Sequence, residues 1–380
     1  MNKHFCFLLS TINGLIPKSN KRIAIYGRRM LNDNSEALLD YLISKQYNNR
    51  YKIFLLVHRS VRIDNYRKRD NVTICTNSII TLWILFRTKY VFHTHGMSIC
   101  TMIPKREQII FNLWHGSPLK AIGKMIGDSI HPYTDSYFLS SSPFFASINE
   151  KCFGYTQRQL FIGSNPRNDL LFSNKNVIKN IFSLNHICKV VIFMPTFRKS
   201  SYLARTDAEC DFPIITKNNI GDLDDFLYDN NVLLIIKPHP YQDGIDYLLE
   251  PYKNIKIIFN EDLRTVNIKL YELLACSDAL ITDFSSVYFD YLLLNRPIAF
   301  AIDNFDSYSQ SRGYTIANPL DIMPGEKIFD LNGMQNFIEN VVLGKDDFSI
   351  ERSKVNNIVN THCMDDSCRR ILDFCMIKNE

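Results

Sequence analysis

The strongest constraint on this chain is an alternation. Short, almost wholly apolar runs recur along its length, separated by segments with helical spacing. A continuous apolar run suits a strand buried on both faces, and the helical segments suit crossovers between such strands. The pattern therefore reads as βαβ units around parallel sheets. In the first half the predicted strands are Arg22–Tyr26, Lys52–Val57, Val72–Cys75, Tyr90–His93, Gln108–Leu113, Ser136–Ser140 and Gln159–Ile162. Ala37, Leu38, Tyr41 and Leu42 share one face of a predicted helix over 35–44, and 78–87 repeats that spacing. The pattern restarts with Lys189–Met194, Asn231–Ile236, Ile255–Phe259, Ala279–Thr282 and Pro297–Ala301. Two successive α/β units predict two Rossmann-like domains facing across a cleft, with ligands at the strands' carboxyl ends. The expected division is 1–172, a polar crossing over 173–188, a second domain over 189–345, and terminal helices over 346–380.

Composition narrows the class. With 46% hydrophobic residues, the 380-residue chain is far from the disordered regime. Ten cysteines form no CxxC pair, so neither a zinc cluster nor a redox dithiol is signalled, and they read as reduced, mostly buried thiols. No apolar run approaches the ~18 residues of a membrane-spanning helix. Phe5–Ile12 and Ile79–Phe86 are too short, and no small-residue cleavage site follows Phe5–Leu9, so no cleaved signal peptide is expected. Charge is divided unevenly. Residues 1–190 carry 26 Lys and Arg against 10 Asp and Glu, a balance of +16, whereas residues 191–380 carry 18 against 29, a balance of −11. A basic half of this size suits an anionic membrane surface, a lipid phosphate or nucleic acid; it suits a solvated face equally well. No nucleic-acid module or Arg–aromatic array accompanies it, so nucleic acid is not an expected partner.

Three segments carry the candidate chemistry. In Asn112-Leu-Trp-His-Gly-Ser-Pro-Leu-Lys120, Gly116 and Pro118 break a strand and open a turn that presents His115. A histidine there can accept a proton from an attacking hydroxyl at neutral pH. In Leu234-Ile-Ile-Lys-Pro-His-Pro240, an apolar strand ends in a proline-stiffened turn that delivers Lys237 and His239, two groups suited to a diphosphate. In Ala279–Asp290, a strand runs into a helix expected to start near Ser285, with Ser285 or a neighbour as N-cap and the helix amino end as a phosphate seat. Smaller signals are Gly163–Asp169, Met194–Arg198 and the loop Ser311–Tyr314. His93 and His95 also follow a strand, but no third ligand is evident, so no metal site is assigned.

Taken in order, WHGSPLK (114–120), GSNPRNDLL (163–171), MPTFR (194–198), KPHP (237–240), ITDFSSVYFDYLLLNRPI (281–298) and SRGY (311–314) resemble the CDP-glycerol glycerophosphotransferase family, over roughly residues 20–345. Enzymes of that family prime or polymerise teichoic acids and related phosphate-linked capsular polymers. The resemblance implies a GT-B fold and transfer of glycerol phosphate, or a related polyol phosphate, from a CDP-linked donor to a lipid-linked or glycan hydroxyl. It also implies peripheral, monotopic association with the cytoplasmic face of the membrane, where a polyprenyl-diphosphate-linked acceptor resides. His115 is implied as the base and His239 as a group at the donor phosphates. Ser285, Ser286 and Arg312 are implied at the same diphosphate, and Lys237, Thr196, Arg198, Thr282, Asp283 and Gly313 are further expected donor-side residues. Gly116, Ser117, Lys120, Arg167 and Asp169 are expected on the acceptor side or at the hinge. No cofactor beyond the CDP-polyol donor is required by these residues, and a divalent metal is compatible with them. Ser117, Pro238 and Phe284 stand where the family more often has Thr, Leu and Tyr, which leaves the polyol open. The alternatives are a GT-B glycosyltransferase using a nucleotide sugar, and a non-catalytic nucleotide-binding subunit of a capsule assembly complex. The latter predicts loss of key polar groups, all of which are present.

Overall fold

The computed structural model describes residues 3–27, 33–58, 70–97, 103–105, 107–128, 134–173, 175–182, 187–196, 198–200, 205–206, 212–240, 242–303, 305 and 313–379. The chain forms two compact units. Unit 1 comprises residues 1–117, 123–169 and 361–380; unit 2 comprises 118–122 and 170–360.

Unit 1 is built on seven parallel strands: β1 (Ser19–Gly27), β2 (Lys52–Val57), β3 (Val72–Cys75), β4 (Thr88–His93), β5 (Ile109–Asn112), β6 (Tyr137–Ser140) and β7 (Leu160–Ile162), in the order β3-β2-β1-β4-β5-β6-β7. The period of two along each strand sorts side chains between two cores. Ile23, Ile25, Ile53 and Leu55 join Leu38, Leu39 and Leu42 of the helix Asp33–Ser44. Ala24, Tyr26, Phe54 and Leu56 face the other way, toward Ile84 and Leu85 of the helix Ser78–Arg87 and Leu9 of the helix Lys3–Leu15. Asn77 starts the helix Ser78–Arg87 by accepting the N–H groups of Ile79 and Ile80 at 3.0 and 3.2 Å.

The chain returns to unit 1 near its end. The helix Ser367–Phe374 places Cys368, Ile371 and Leu372 in the same core as Leu38 and Ile53. The Asp169 carboxylate fixes its first turn, accepting from the N–H groups of Ser367 (2.9 Å) and Cys368 (3.2 Å). Asp169, expected on the acceptor side or at the hinge, is thus occupied by a helix end.

Unit 2 holds a second parallel sheet of β8 (Lys189–Met194), β11 (Val232–Ile236), β12 (Ile255–Ile257), β13 (Ala279–Thr282), β14 (Ile298–Ala301) and β15 (Glu326–Ile328), in the order β12-β11-β8-β13-β14-β15. A two-stranded ribbon of β9 (Lys199–Ser200) and β10 (Arg205–Thr206) follows β8. Val191, Phe193, Leu234 and Ile236 pack against Leu223 and Leu227 on one helix and Phe337 and Val341 on another. β15 was not expected: of Glu326, Lys327 and Ile328, only Ile328 is fully buried.

In each sheet the strand order reverses direction at a central pair, β1/β4 in unit 1 and β8/β13 in unit 2. In doubly wound sheets ligands bind at such switch points, beyond the strands' carboxyl ends. The expected class, two Rossmann-like α/β units of the GT-B type, is the one found. Among the described residues no helix is long and apolar enough to cross a membrane.

Candidate active site

In unit 1 the chain leaves β5 through a turn braced from three sides. Asn112 Oδ1 accepts the Trp114 N–H at 3.0 Å. Asn34, fully buried on the helix Asp33–Ser44, places Nδ2 3.0 Å from the carbonyl oxygens of both Leu113 and Trp114. The Arg167 guanidinium, itself buried, donates to the His115 carbonyl at 3.0 Å. These bonds hold Trp114 at φ 51, a left-handed conformation that non-glycine residues rarely adopt. Gly116 follows at φ 130, which requires glycine. The result is a fixed backbone that turns the His115 side chain out of the strand line.

The His115 ring lies against two others. It stacks on His95 with centroids 4.3 Å apart and planes within 3°, and the Trp114 ring centroid is 3.9 Å away. Nδ1 faces the Thr94 carbonyl oxygen at 3.3 Å. A carbonyl can only accept, so Nδ1 carries the ring proton and the neutral ring keeps its lone pair on Nε2. Burial pushes the His115 pKa down to about 3, with the neighbouring His95 and Arg167 acting in the same sense against the Thr94 bond. At neutral pH His115 is therefore an uncharged imidazole in the tautomer a proton acceptor needs. Ser117 closes the turn, its hydroxyl 2.9 Å from that of Ser141.

The expected acceptor-side group divides at this point. Gly116, Ser117, Arg167 and Asp169 belong to unit 1, but Pro118–Ile122 belongs to unit 2. There it pairs with the loop after residue 312. Ala121 N–H donates to Gly313 O (3.0 Å), Thr315 N–H to Leu119 O (2.9 Å) and the Thr315 hydroxyl to Pro118 O (2.7 Å), with Lys120 opposite Tyr314. Gly313 adopts φ 68 in this ladder. Ser311 and Arg312 lie outside the described residues.

Elsewhere in unit 2, β11 runs into Lys237, whose N–H donates to Phe193 O at 2.9 Å and whose side chain is buried. His239 follows, half-buried. Its pKa is pushed down to about 4, by burial first and then by the charges of Lys120 and Lys237. Two ammonium groups near one half-buried imidazole make a locally electropositive place, suited to a phosphate.

The remaining donor-side expectations are met differently. Asp283, fully buried after β13, accepts from the Thr196 N–H (2.9 Å) and hydroxyl (2.7 Å). Arg198, also fully buried, lies 3.5 Å from Asp283 and 3.2 Å from Asp303. The Thr282 hydroxyl donates to Met194 O at 2.7 Å. Thr196, Arg198, Thr282 and Asp283 tie the ends of β8 and β13 together. Ser286 stands at the N-cap of the helix Val287–Tyr291, but its side chain accepts no capping bond. Its φ −65 and ψ −4 are already helical, whereas a capping serine needs an extended backbone to reach the next turn. The expected serine cap is therefore absent, and Ser285 and Ser286 remain half-buried beyond the end of β13. Among the described residues no three His, Cys, Asp or Glu side chains group as a metal site.

Two doubly wound units, with histidine-bearing turns at their strands' carboxyl ends, have the fold of the GT-B class. Residues 9–376 match the CDP-Glycerol:Poly(glycerophosphate) glycerophosphotransferase family, and the chain belongs to it. Its activity is glycerophosphate transfer from CDP-glycerol. A teichoic acid poly(glycerol phosphate) polymerase of Bacillus spizizenii is 27% identical over 332 residues, covering 80% of this chain and 79% of the relative. A teichoic acid glycerol-phosphate primase of Bacillus subtilis is 26% identical over 328 residues, covering 80% of each. The solved structure of the wall teichoic acid polymerase TagF superposes with a TM-score of 0.75 at 18% identity, covering 94% of this chain and 89% of that one.

Proposed function

We propose that this enzyme extends a polyprenyl-diphosphate-linked teichoic-acid-type acceptor at the cytoplasmic face of the membrane, with His115 as the base and unit 2 as the donor-holding half. The acceptor hydroxyl oxygen bonds to the β-phosphorus of CDP-glycerol as the bond from that phosphorus to the bridging oxygen breaks. CMP leaves with the bond's electrons, and the hydroxyl proton passes to His115 Nε2. Lys237, Lys120, His239 and the hydroxyls of Ser285 and Ser286 offset charge on the diphosphate, with Arg312 as a further cation. Phosphoryl transfer of this kind rests mainly on positioning and electrostatics. The observation that carries the assignment is the His115–Thr94 contact, because it leaves a neutral Nε2.

A peripheral membrane seat is supported by two helices that both bury one side in the same core. Phe7 and Leu15 of Lys3–Leu15 are 74% and 80% exposed, and Ile79 and Trp83 of Ser78–Arg87 are 81% and 53% exposed. Apolar side chains on a basic unit suit an anionic leaflet.

The test is CMP release by the purified full chain from CDP-glycerol, CDP-ribitol and UDP-sugars, each with lipid-linked acceptors, with magnesium or a chelator. Acceptor-dependent CMP release from CDP-glycerol is expected. UDP release from a nucleotide sugar, or no CMP release with any acceptor, would overturn the assignment.

A further inference from the structure

The segment His93-Thr-His-Gly96 has no part in the chemistry above beyond the Thr94 carbonyl and the His95 ring. Its buried member explains why both stand where they do. His93 ends β4 and is 1% exposed. Its Nδ1 accepts the Gly96 N–H at 3.1 Å, so in the neutral ring the proton sits on Nε2, which points at Asp135 Oδ1 at 2.8 Å. Asp135, also buried, takes the Tyr155 hydroxyl and the Asn112 Nδ2 (3.2 Å) on its second oxygen. Asn112 in turn holds the Trp114 N–H. One carboxylate thus anchors the ends of two adjacent strands, β4 through His93 and β5 through Asn112. The first bears the turn that contacts the His115 ring; the second bears His115.

We infer that Asp135 and His93 are positioning residues for His115, acting through the Thr94–Gly96 turn that presents a carbonyl to Nδ1 and the His95 ring to the imidazole face. This rests on His115 being the base. A buried polar cluster kept only for stability gains little over apolar packing, since each member must be desolvated. Here the two side-chain bonds to backbone N–H groups, His93 to Gly96 and Asn112 to Trp114, both end on a turn bearing His115 or touching it.

The experiment uses the full chain carrying Asp135→Asn, His93→Leu or His93→Gln, with His115→Ala as reference. The readouts are kcat and KM for CDP-glycerol, the melting temperature, and the His115 tautomer from nitrogen NMR of 15N-histidine-labelled protein. Asp135→Asn and His93→Leu should lower kcat about 10–100-fold, the usual worth of an outer partner of a functional histidine, with KM changed less than about twofold. In both, the His115 signals should lose the single Nδ1–H tautomer. His93→Gln, whose amide can accept from Gly96 and donate to Asp135, should restore kcat to within about fivefold of wild type. A lowered melting temperature with kcat and tautomer unchanged would overturn the inference. If His93→Leu does not fold, Asp135→Asn and His93→Gln decide by the same readouts. Full activity of His115→Ala would remove His115 as base, while the tautomer signals of the other variants would still report whether the pair positions it.

Discussion

The rings of His95 and His115 lie parallel, 4.3 Å apart, one exposed to solvent and the other set against Trp114. Protonating His115 would put a cation against a second imidazole and the Arg167 guanidinium, in a place where burial already disfavours charge. Its acid limb therefore falls far below the ordinary histidine range. The kcat/KM for CDP-glycerol should stay flat from pH 8 to about pH 5 as far as His115 is concerned, since its pKa is about 3. His115→Ala should lower kcat by about 10²–10⁴. A limb near pH 6.5 that disappears in this variant would show that the ring is solvated.

Stability should fall on acidification. Above the ordinary histidine pKa both folded and unfolded chains hold His239 neutral. Between about pH 6.5 and 4 the unfolded chain takes up a proton that the folded one refuses, so acid favours unfolding. His115 acts in the same direction down to about pH 3. His239→Gln should flatten the loss by up to about 1.4 kcal/mol per pH unit, the value for one proton. Urea denaturation at pH 7 and at pH 4.5 measures it.

Arg198 should prove structural. Its guanidinium is fully enclosed with Asp283 and Asp303, so Arg198→Met strands two carboxylates. The expected cost is about 3–5 kcal/mol in urea denaturation of the full chain. Unchanged stability with weakened CDP-glycerol binding would return Arg198 to the donor.

Phe7→Ser and Trp83→Ser should each weaken binding to vesicles containing anionic lipid about tenfold or more, the worth of burying one large apolar side chain. Binding should also decline with salt, and CMP release to a soluble acceptor analogue should be unchanged. Vesicle flotation at two salt concentrations checks both. Undiminished binding by the double variant would place the membrane contact elsewhere.

The strands were legible because each fully buried parallel strand is an uninterrupted apolar run, as in Val232–Ile236. β15 was not, because Glu326 and Lys327 carry no such signal. At the site, sequence located the turns but not what their side chains do. Asp283 and Arg198 sit after strands, where ligand-binding groups and internal braces look alike; only their complete burial separates them. Lys120 follows unit 1 residues directly in sequence, and a chain that passes from one unit to the other within WHGSPLK gives no sign of it. Asn34 and Asp135 act through long-range hydrogen bonds to residues remote in sequence, which no local pattern encodes.

The helix Ser367–Phe374 belongs to unit 1 although all of unit 2's sheet precedes it in the chain. During synthesis, then, the half that begins first finishes last. Unit 2 has every one of its residues once Asn360 has left the ribosome, while Leu38, Ile53 and Leu55 still wait for Ile371 and Leu372 to cover them. For that interval the nascent protein presents an apolar face covered only in part, by the helix Asp33–Ser44, the kind of surface that chaperones bind and that aggregates when they do not.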